Sequence, residues 1–442
     1  MVGTVHTGLT LDSRKQTTRQ LAISTAPLAD ELILALDQHS RMTLQPCVQV
    51  GDPVQLGQII ATPDTAGHGS LGAYLHAPVS GQVLAIEPRP SLHNSLALSM
   101  VLRNDHQDTR HATCQPYGDW SALSARELCA QLARGGLVGL GGAAFPTATK
   151  LSTQQRHTID TLIINGVECE PYITCDDRLM RERADRILQG ILILLHAAQA
   201  TRCIIAIEID KPEATQALRS AMQALNDIRI GIQNVPAAYP SGDEGQLIQR
   251  LLQKEVPQHG LPADIGVIVH NVATAYACAR WILDGEPLIS RITTLTGQAI
   301  AVPGNIEVRI GTPIYFLLAT YGLNASHERI IMGGAMMGKT LHNTTAPITK
   351  SSNCIIVAAT HELSATQPEQ ACIRCGECMQ ACPVGLLPQQ LLLHTQHQNH
   401  FALQQLALQD CIECACCDYV CPSQIRLSSR FHAAKRHLTT PA

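Results

Sequence analysis

The sequence predicts an α/β chain assembled from four parts in series: a short-stranded β domain, a parallel-sheet core with helices on both faces, a small second β module, and a cysteine-rich helical tail. Three observations carry that expectation. Apolar strand-like runs alternate with amphipathic helical runs between residues 124 and 269, β phrases punctuated by Gly and Pro flank them on both sides, and one cysteine spacing occurs twice near the C-terminus.

Length and composition set the limits. At 442 residues the chain has room for about three domains. A hydrophobic content of 45% is ordinary for a globular protein, and a formal net charge of −4 argues against a nucleic-acid binder. Of 17 Cys, those outside the repeated spacing are scattered and odd in number, which fits free thiols in a reducing cytosol rather than a secreted disulfide framework. No run of about 18 apolar residues occurs. The longest candidate, from Ile187 to Ala200, is interrupted by Gln189, His196 and Gln199 and reads as a buried helix. The opening MVGTVHTGLTLDSRKQ lacks an apolar core followed by a small-residue cleavage site, so export is not expected.

Residues 1 to about 40 read as an irregular lead-in with one helix near Pro27 to Gln38. From Gln45 the texture turns to short β segments, with one phrase from Val48 through Gly51, Pro53 and Gly57 and another from His76 through Pro78 and Gly81. The two phrases resemble the halves of a biotinyl/lipoyl-type barrel-sandwich. The connection between them, Ala61 to Leu75, has no Lys to carry a swinging arm, so a structural domain is expected.

Ser124 to Arg134 reads as an amphipathic helix running into a glycine-rich segment, Gly135-Gly-Leu-Val-Gly139-Leu-Gly141-Gly142-Ala-Ala-Phe145-Pro146. Clustered glycines let backbone N–H groups approach a phosphate or a planar ring. Strands at Thr161–Asn165, Arg202–Glu208 and Ile265–Val269, helices at Ile187–Ala198 and Glu213–Leu225, and alternating Ile228, Ile230 and Ile232 then imply a mostly parallel sheet. Ligands of such sheets sit beyond the carboxyl ends of the strands, where Asn165-Gly-Val-Glu168-Cys-Glu170 and His270-Asn271-Val-Ala-Thr274 fall. His270 is expected to be a satisfied polar residue. From Arg291 to about Lys350 the texture is that of a β-grasp-like module, and a linker from Glu362 to Gln370 leads into the tail. The basic end, Arg430 to Ala442, reads as a solvated helix.

The tail carries Cys372, Cys375, Cys378 and Cys382-Pro383, then Cys411, Cys414, Cys417 and Cys421-Pro422. Two such runs in tandem are the signature of a two-cluster ferredoxin module, in which the fourth Cys of each run ligates the other cluster. The expected sets are therefore Cys372, Cys375, Cys378 and Cys421 on one 4Fe-4S cluster, and Cys411, Cys414, Cys417 and Cys382 on the second. Zinc would use two Cys pairs and has no need of a third Cys at the same interval. Cys416 lies outside the spacing and is expected to be a small packed side chain.

The glycine phrase, Ile163-Ile-Asn-Gly-Val-Glu-Cys-Glu-Pro-Tyr172, Tyr239-Pro-Ser-Gly-Asp-Glu-Gly-Gln-Leu247 and the two cysteine runs together resemble RnfC, a component of the Rnf/Rsx ion-translocating electron-transport complex, over nearly the whole chain. The resemblance implies a Rossmann-like core similar to the flavoprotein of respiratory complex I, with an SLBB module after it. It implies FMN held by Gly139, Gly141, Gly142 and Lys150, by Asn165 and Glu168, by Tyr239, Gly242, Asp243 and Glu244, and by Asn271 and Thr274. Phe145 and Glu170 would contact NAD(H) as substrate. Ala144 stands where that pattern commonly has Gly, Ala148 where it has Gly or a larger residue, and Val167 where it has an acid. The implied divisions are 1–115, 116–288, 289–350 and 351–442.

A nicotinamide nucleotide gives up two electrons at once and each cluster accepts one, so a flavin must stand between them. The expected function is an NADH-linked flavin and iron-sulfur oxidoreductase with no catalytic acid or base. It would sit on the cytoplasmic face of the inner membrane, docked on membrane-embedded subunits and exchanging electrons with ferredoxin or a ferredoxin-like subunit. A soluble cobalamin reductase of a microcompartment and a non-catalytic electron wire or scaffold are the alternatives. Cys169 and Cys175, near the expected flavin, read as inert packed thiols.

Overall fold

A computed structural model describes residues 8–38, 43–63, 72–92, 95–258, 260–324, 326–360, 362 and 367–439. The start of the lead-in, most of the Lys-free connection and part of the interdomain linker were expectations about residues outside this set.

The lead-in is structured. Its strand β1 (Ile23–Thr25) pairs in parallel with a strand near residue 306, and Lys15 and Thr18 are buried. The helix expected near Pro27–Gln38 is instead strand β2 (Glu31–Ala35). Leu32, Ile33, Leu34 and Ala35 are all buried, and four consecutive buried residues suit a strand covered on both faces better than a helix with one solvated side.

The β phrases form β3 (Leu44–Pro46), β4 (Pro53–Val54), β5 (Ile59–Pro63), β6 (Leu75–His76), β7 (Gly81–Pro90) and β8 (Leu96–Asn104). They make two small sheets, β2-β8-β7-β4 and β3-β5-β6, closed over Leu34, Leu44, Val54, Ile60, Leu75 and Met100.

Helix α1 (Ala125–Arg134) starts at a capping box in which Ser124 and Glu127 satisfy each other's backbone N–H groups, a device contributing about 1 kcal/mol. After α2 (Thr147–Leu151) come β9 (Thr161–Gly166), α3 (Cys175–Glu182), α4 (Ala184–Ala198), β10 (Arg202–Glu208), α5 (Pro212–Leu225), β11 (Ile230–Val235), α6 (Glu244–Leu252), β12 (Val267–Asn271) and α7 (Val272–Asp284). Ile228 lies outside β11 and is exposed, so the three-residue alternation overran the strand. All four strands are parallel, in the order β11-β10-β9-β12. The direction in which strands are added across the sheet reverses between β9 and β12, and the crevice beyond their carboxyl ends is where such sheets bind ligands. Gly190 lets α4 lie against α7: a Cβ there would be 1.7 Å from the carbonyl oxygen of Ala275.

The second β region contains β13 (Ser290–Thr296), β14 (Gly304–Arg309), helix α8 (Ile314–Tyr321), β15 (His327–Met332), β16 (Lys339–Leu341) and β17 (Cys354–Ala359). The sheet order is β1-β14-β13-β17-β15-β16, with its own core of Leu295, Ile306, Ile314, Leu317 and Val357. The tail is helical: α9 (Glu377–Gln380), α10 (Pro388–Gln396), α11 (His400–Gln405), α12 (Cys416–Tyr419) and α13 (Leu427–Thr439). The last helix is not fully solvated, because Phe431 and Ala434 are buried against Leu391, Leu403 and Leu408. Among the described residues no helix is long and apolar enough to cross a membrane.

Candidate functional site

The reversal point of the central sheet lies between Asn165 and Asn271, near the ends of β9 and β12, which stand in register. Each amide is tied to the backbone around it. Asn165 donates to the carbonyl oxygen of Gly242 at 2.9 Å and accepts from Val167 N–H at 3.0 Å. Asn271 caps α7 through Ala273 N–H at 2.8 Å and donates to Asp176 at 2.7 Å. The two residues fix the rim of the crevice, and α7 points its N-terminus into it.

The glycine segment closes the crevice from above. Gly139 N–H donates to the carbonyl oxygen of Phe145 at 2.7 Å, forming a tight loop, and Leu140 N–H donates to Thr274 Oγ1 at 2.9 Å. Gly142 has a φ of +116°, which excludes most side chains, and a Cβ there would meet nothing within 4 Å. Ala144 also has a positive φ, +51°, a conformation that costs Ala about 1 kcal/mol relative to Gly. Near the loop, Thr147 Oγ1 and His270 Nε2 are buried and accept or donate nothing among the described residues. Burial, with Lys150 adding to it, lowers His270 to about 3, so its ring is neutral. His270 is therefore buried but not satisfied, against expectation. Open space at Gly142 and the orphaned polar atoms of Thr147 and His270 beside the loop fit a planar phosphate-bearing group.

The other residues expected at the site have partners within the chain. Lys150 and Glu244 pair with each other at 2.8 Å. Glu168 is buried, accepts from Asp176 N–H at 2.8 Å, and lies 3.6 Å from Lys15 Nζ. Burial pushes its pKa up while Lys15 pulls it down. Both Glu170 carboxylate oxygens accept backbone N–H groups, from Met336 at 2.9 Å and Met337 at 3.0 Å. The carboxyl is so close to Gly334 that a Cβ there would lie 2.3 Å from it. Phe145 is 38% exposed at the loop's edge. Cys169 is half-buried and Cys175 is buried, and burial pushes both thiols up.

The third glycine phrase reaches the cysteine tail. Tyr239 is buried and its hydroxyl donates to the carbonyl oxygen of Cys414 at 2.7 Å. Asp243 caps α6 through Gln246 N–H at 3.0 Å, and the Gln246 side chain donates to the carbonyl oxygen of Pro383 at 3.1 Å. Next to these contacts lies a cavity lined by Cys382, Cys411, Cys414 and Cys417, with Pro383, Leu386 and Phe431 around them. Cys382, from the first run, thus faces three cysteines of the second. Cys416 also borders the cavity, is buried, and packs in one cluster with Cys414 and Tyr239. Cys372 and Cys375 are exposed and Cys378 is half-buried. Cys421 packs in the same apolar cluster as Cys378.

Three family models match this architecture: the Nuo51 FMN-binding domain over residues 132–280, the RnfC barrel sandwich hybrid domain over 3–107, and the 4Fe-4S dicluster domain over 371–425. Relatives named as the C subunit of an ion-translocating oxidoreductase complex are 45% identical over 396 residues in Pseudomonas aeruginosa and 44% over 403 in Vibrio cholerae, covering 89% and 90% of this chain. One from Pasteurella multocida is 43% identical over 425 residues, covering 96% of it. The chain belongs to the RnfC family. It spans about half the length of the RnfC relatives it matches, 50% of the first and 51% of the second. A solved NAD+-reducing NiFe-hydrogenase in the H2-reduced state aligns with a TM-score of 0.49 and 18% identity, over 74% of this chain and 62% of that one.

Two buried cations near the glycine loop carry no signal in the sequence. Lys350 donates to the carbonyl oxygens of Tyr74 at 2.8 Å and Gly136 at 2.7 Å, and burial lowers it to about 7. Arg291 donates to the carbonyl oxygens of Lys350 and Leu140, both at 2.5 Å. Each is alone in its local sequence, and only the tertiary fold brings it to the loop.

Proposed function

We propose that the chain binds FMN in the crevice between Asn165 and Asn271, carries two 4Fe-4S clusters in its tail, and passes electrons between NAD(H) and a ferredoxin or ferredoxin-like subunit. It would do so as a peripheral part of an ion-translocating complex, on the cytoplasmic face of the membrane. The observation that carries this reading is the pair of bonds from Tyr239 and Gln246 to the backbone of Cys414 and Pro383, which joins the flavin crevice to the four-cysteine cavity.

In this reading Gly139, Gly141 and Gly142 present backbone to the FMN, Asn165, Gly242, Asp243, Asn271 and Thr274 fix the rim, and Phe145 offers an apolar edge to the nucleotide. Glu170, whose carboxylate accepts from the N–H groups of Met336 and Met337, would contact the nucleotide beside Phe145. When bound, FMN supplies the exchange between paired and single electrons. Cys382, Cys411, Cys414 and Cys417 hold the buried cluster, and Cys372, Cys375, Cys378 and Cys421 the exposed one. The N–H of Leu386 donates to Cys382 Sγ at 3.3 Å, the kind of bond that stabilises a ligating thiolate and tunes a cluster. The parts divide at 1–115, 116–288, 289–350 and 351–442, the third being SLBB-like.

The test is anaerobic purification of the full chain, with FMN and iron assayed and the reduced protein examined by low-temperature paramagnetic resonance. FMN together with about eight irons, the content of two cubanes, is expected. NADH should bleach the flavin and develop the cluster signals. A preparation without FMN, or with zinc on the tail cysteines, overturns the proposal. Flavin that NADH leaves oxidised favours the wire or scaffold alternative. Activity with no association to membrane proteins favours the cobalamin reductase.

A further inference from the structure

Leu140 is fastened through both of its peptide groups. Its N–H donates to Thr274 Oγ1 at 2.9 Å, and its carbonyl oxygen accepts from Arg291 at 2.5 Å. Arg291 belongs to β13, in the second β region, and is only 4% exposed; a guanidinium so buried must have partners to remain charged. Its other bonded nitrogen holds the carbonyl oxygen of Lys350, while Asp176 and Cys175 are the acidic groups near it.

A trans peptide points its C=O and N–H in opposite directions. With the oxygen of Leu140 drawn to Arg291, the N–H of Gly141 is turned away from the β region, and among the described residues it meets no acceptor. Gly141 has no Cβ to resist rotation of that peptide, and glycine accepts either orientation. On the Arg291 side, Leu140, Ala273, Arg291 and Ile292 border a small gap. Arg291 is thus the restraint that holds the Leu140–Gly141 peptide one way round.

We infer that Arg291 is a positioning residue for the flavin loop: from a different sheet it sets the direction of the Gly141 N–H, and FMN affinity depends on it. This inference rests on the FMN reading above. The test compares the full chain with Arg291→Met, which keeps bulk and loses every donor. FMN affinity should fall about tenfold or more, the range expected for losing a bond to a charged group. Iron content should stay near that of the unsubstituted chain, and amide exchange should speed up at residues 139–145 without a general rise. Should Arg291→Met fail to fold, Arg291→Lys decides, because its shorter side chain ends in a single nitrogen and lacks the planar fork whose two separate nitrogens reach the Lys350 and Leu140 oxygens; its FMN affinity should also fall. Unchanged affinity and unchanged loop exchange in the variant that folds overturn the inference and leave the FMN reading intact. Absence of FMN from the unsubstituted chain overturns the FMN reading, and the inference with it.

Discussion

The hydroxyl of Tyr239 and the carbonyl oxygen of Cys414 are 2.7 Å apart, a buried bond between the central sheet's ligand loop and the turn that presents the second cysteine run. Removing the hydroxyl in Tyr239→Phe leaves the Cys414 oxygen without that donor, at a cost of about 1–3 kcal/mol. The expected outcome is a lower unfolding midpoint and a changed resonance signal for one cluster only. Both are read on the same sample by thermal melting and low-temperature spectroscopy.

Cysteine substitutions should separate ligand from neighbour. Cys375→Ser and Cys414→Ser are each expected to lose or distort one cluster, about four of eight irons. Cys416→Ala is expected to retain all of them. Iron assay with spectroscopy checks the three proteins, and unchanged iron in Cys375→Ser would refute its role as ligand.

Two glycines should fail in different ways. A Cβ at Gly141 would sit 3.6 Å from Asn271, an ordinary contact, so Gly141→Val should fold, keep its iron and lose FMN through its branched methyls. Gly190→Ala drives a methyl into the Ala275 carbonyl and should destabilise the whole sheet domain by about 3 kcal/mol or more. Flavin content discriminates the first, and denaturant unfolding the second.

Acid should weaken the fold through two histidines. Burial lowers His76 and His270 to about 3, from an ordinary value of 6.5. Between those values the unfolded chain binds more protons, so their contribution is full above pH 6.5 and is lost as pH falls toward 3. Glu168, raised by burial to about 7, acts in the opposite direction as pH falls through that value. In His270→Phe the slope of stability against pH, between about pH 7 and about pH 5, should shift by up to about 1.4 kcal/mol per pH unit, toward less acid sensitivity. Urea titrations at several pH values check it.

The cysteine runs were legible because cluster ligation fixes both residue type and interval. The alternation from Thr161 to Asn271 was legible because parallel strands are apolar throughout. The strand Glu31–Ala35 was not, since a run buried on both faces has no period to distinguish it from a helix. Phe431 in the last helix and Arg291 behind the glycine loop were not legible either, because their partners are distant in sequence. Glu170 matched a motif, but its surroundings were set by the Met336–Met337 turn.

The lead-in makes its bonds far downstream. Leu9 pairs with Tyr239, Ser13 accepts from Tyr172, Thr18 meets Thr174 and its carbonyl accepts from Asn305, and Ile23–Thr25 lies beside Asn305–Glu307. During synthesis this stretch leaves the ribosome well ahead of these partners, Asn305 following Thr18 by 287 positions. It is therefore among the last pieces to find its place, and a protease acting on the nascent chain would meet the molecule at the zipper that fastens its separate parts.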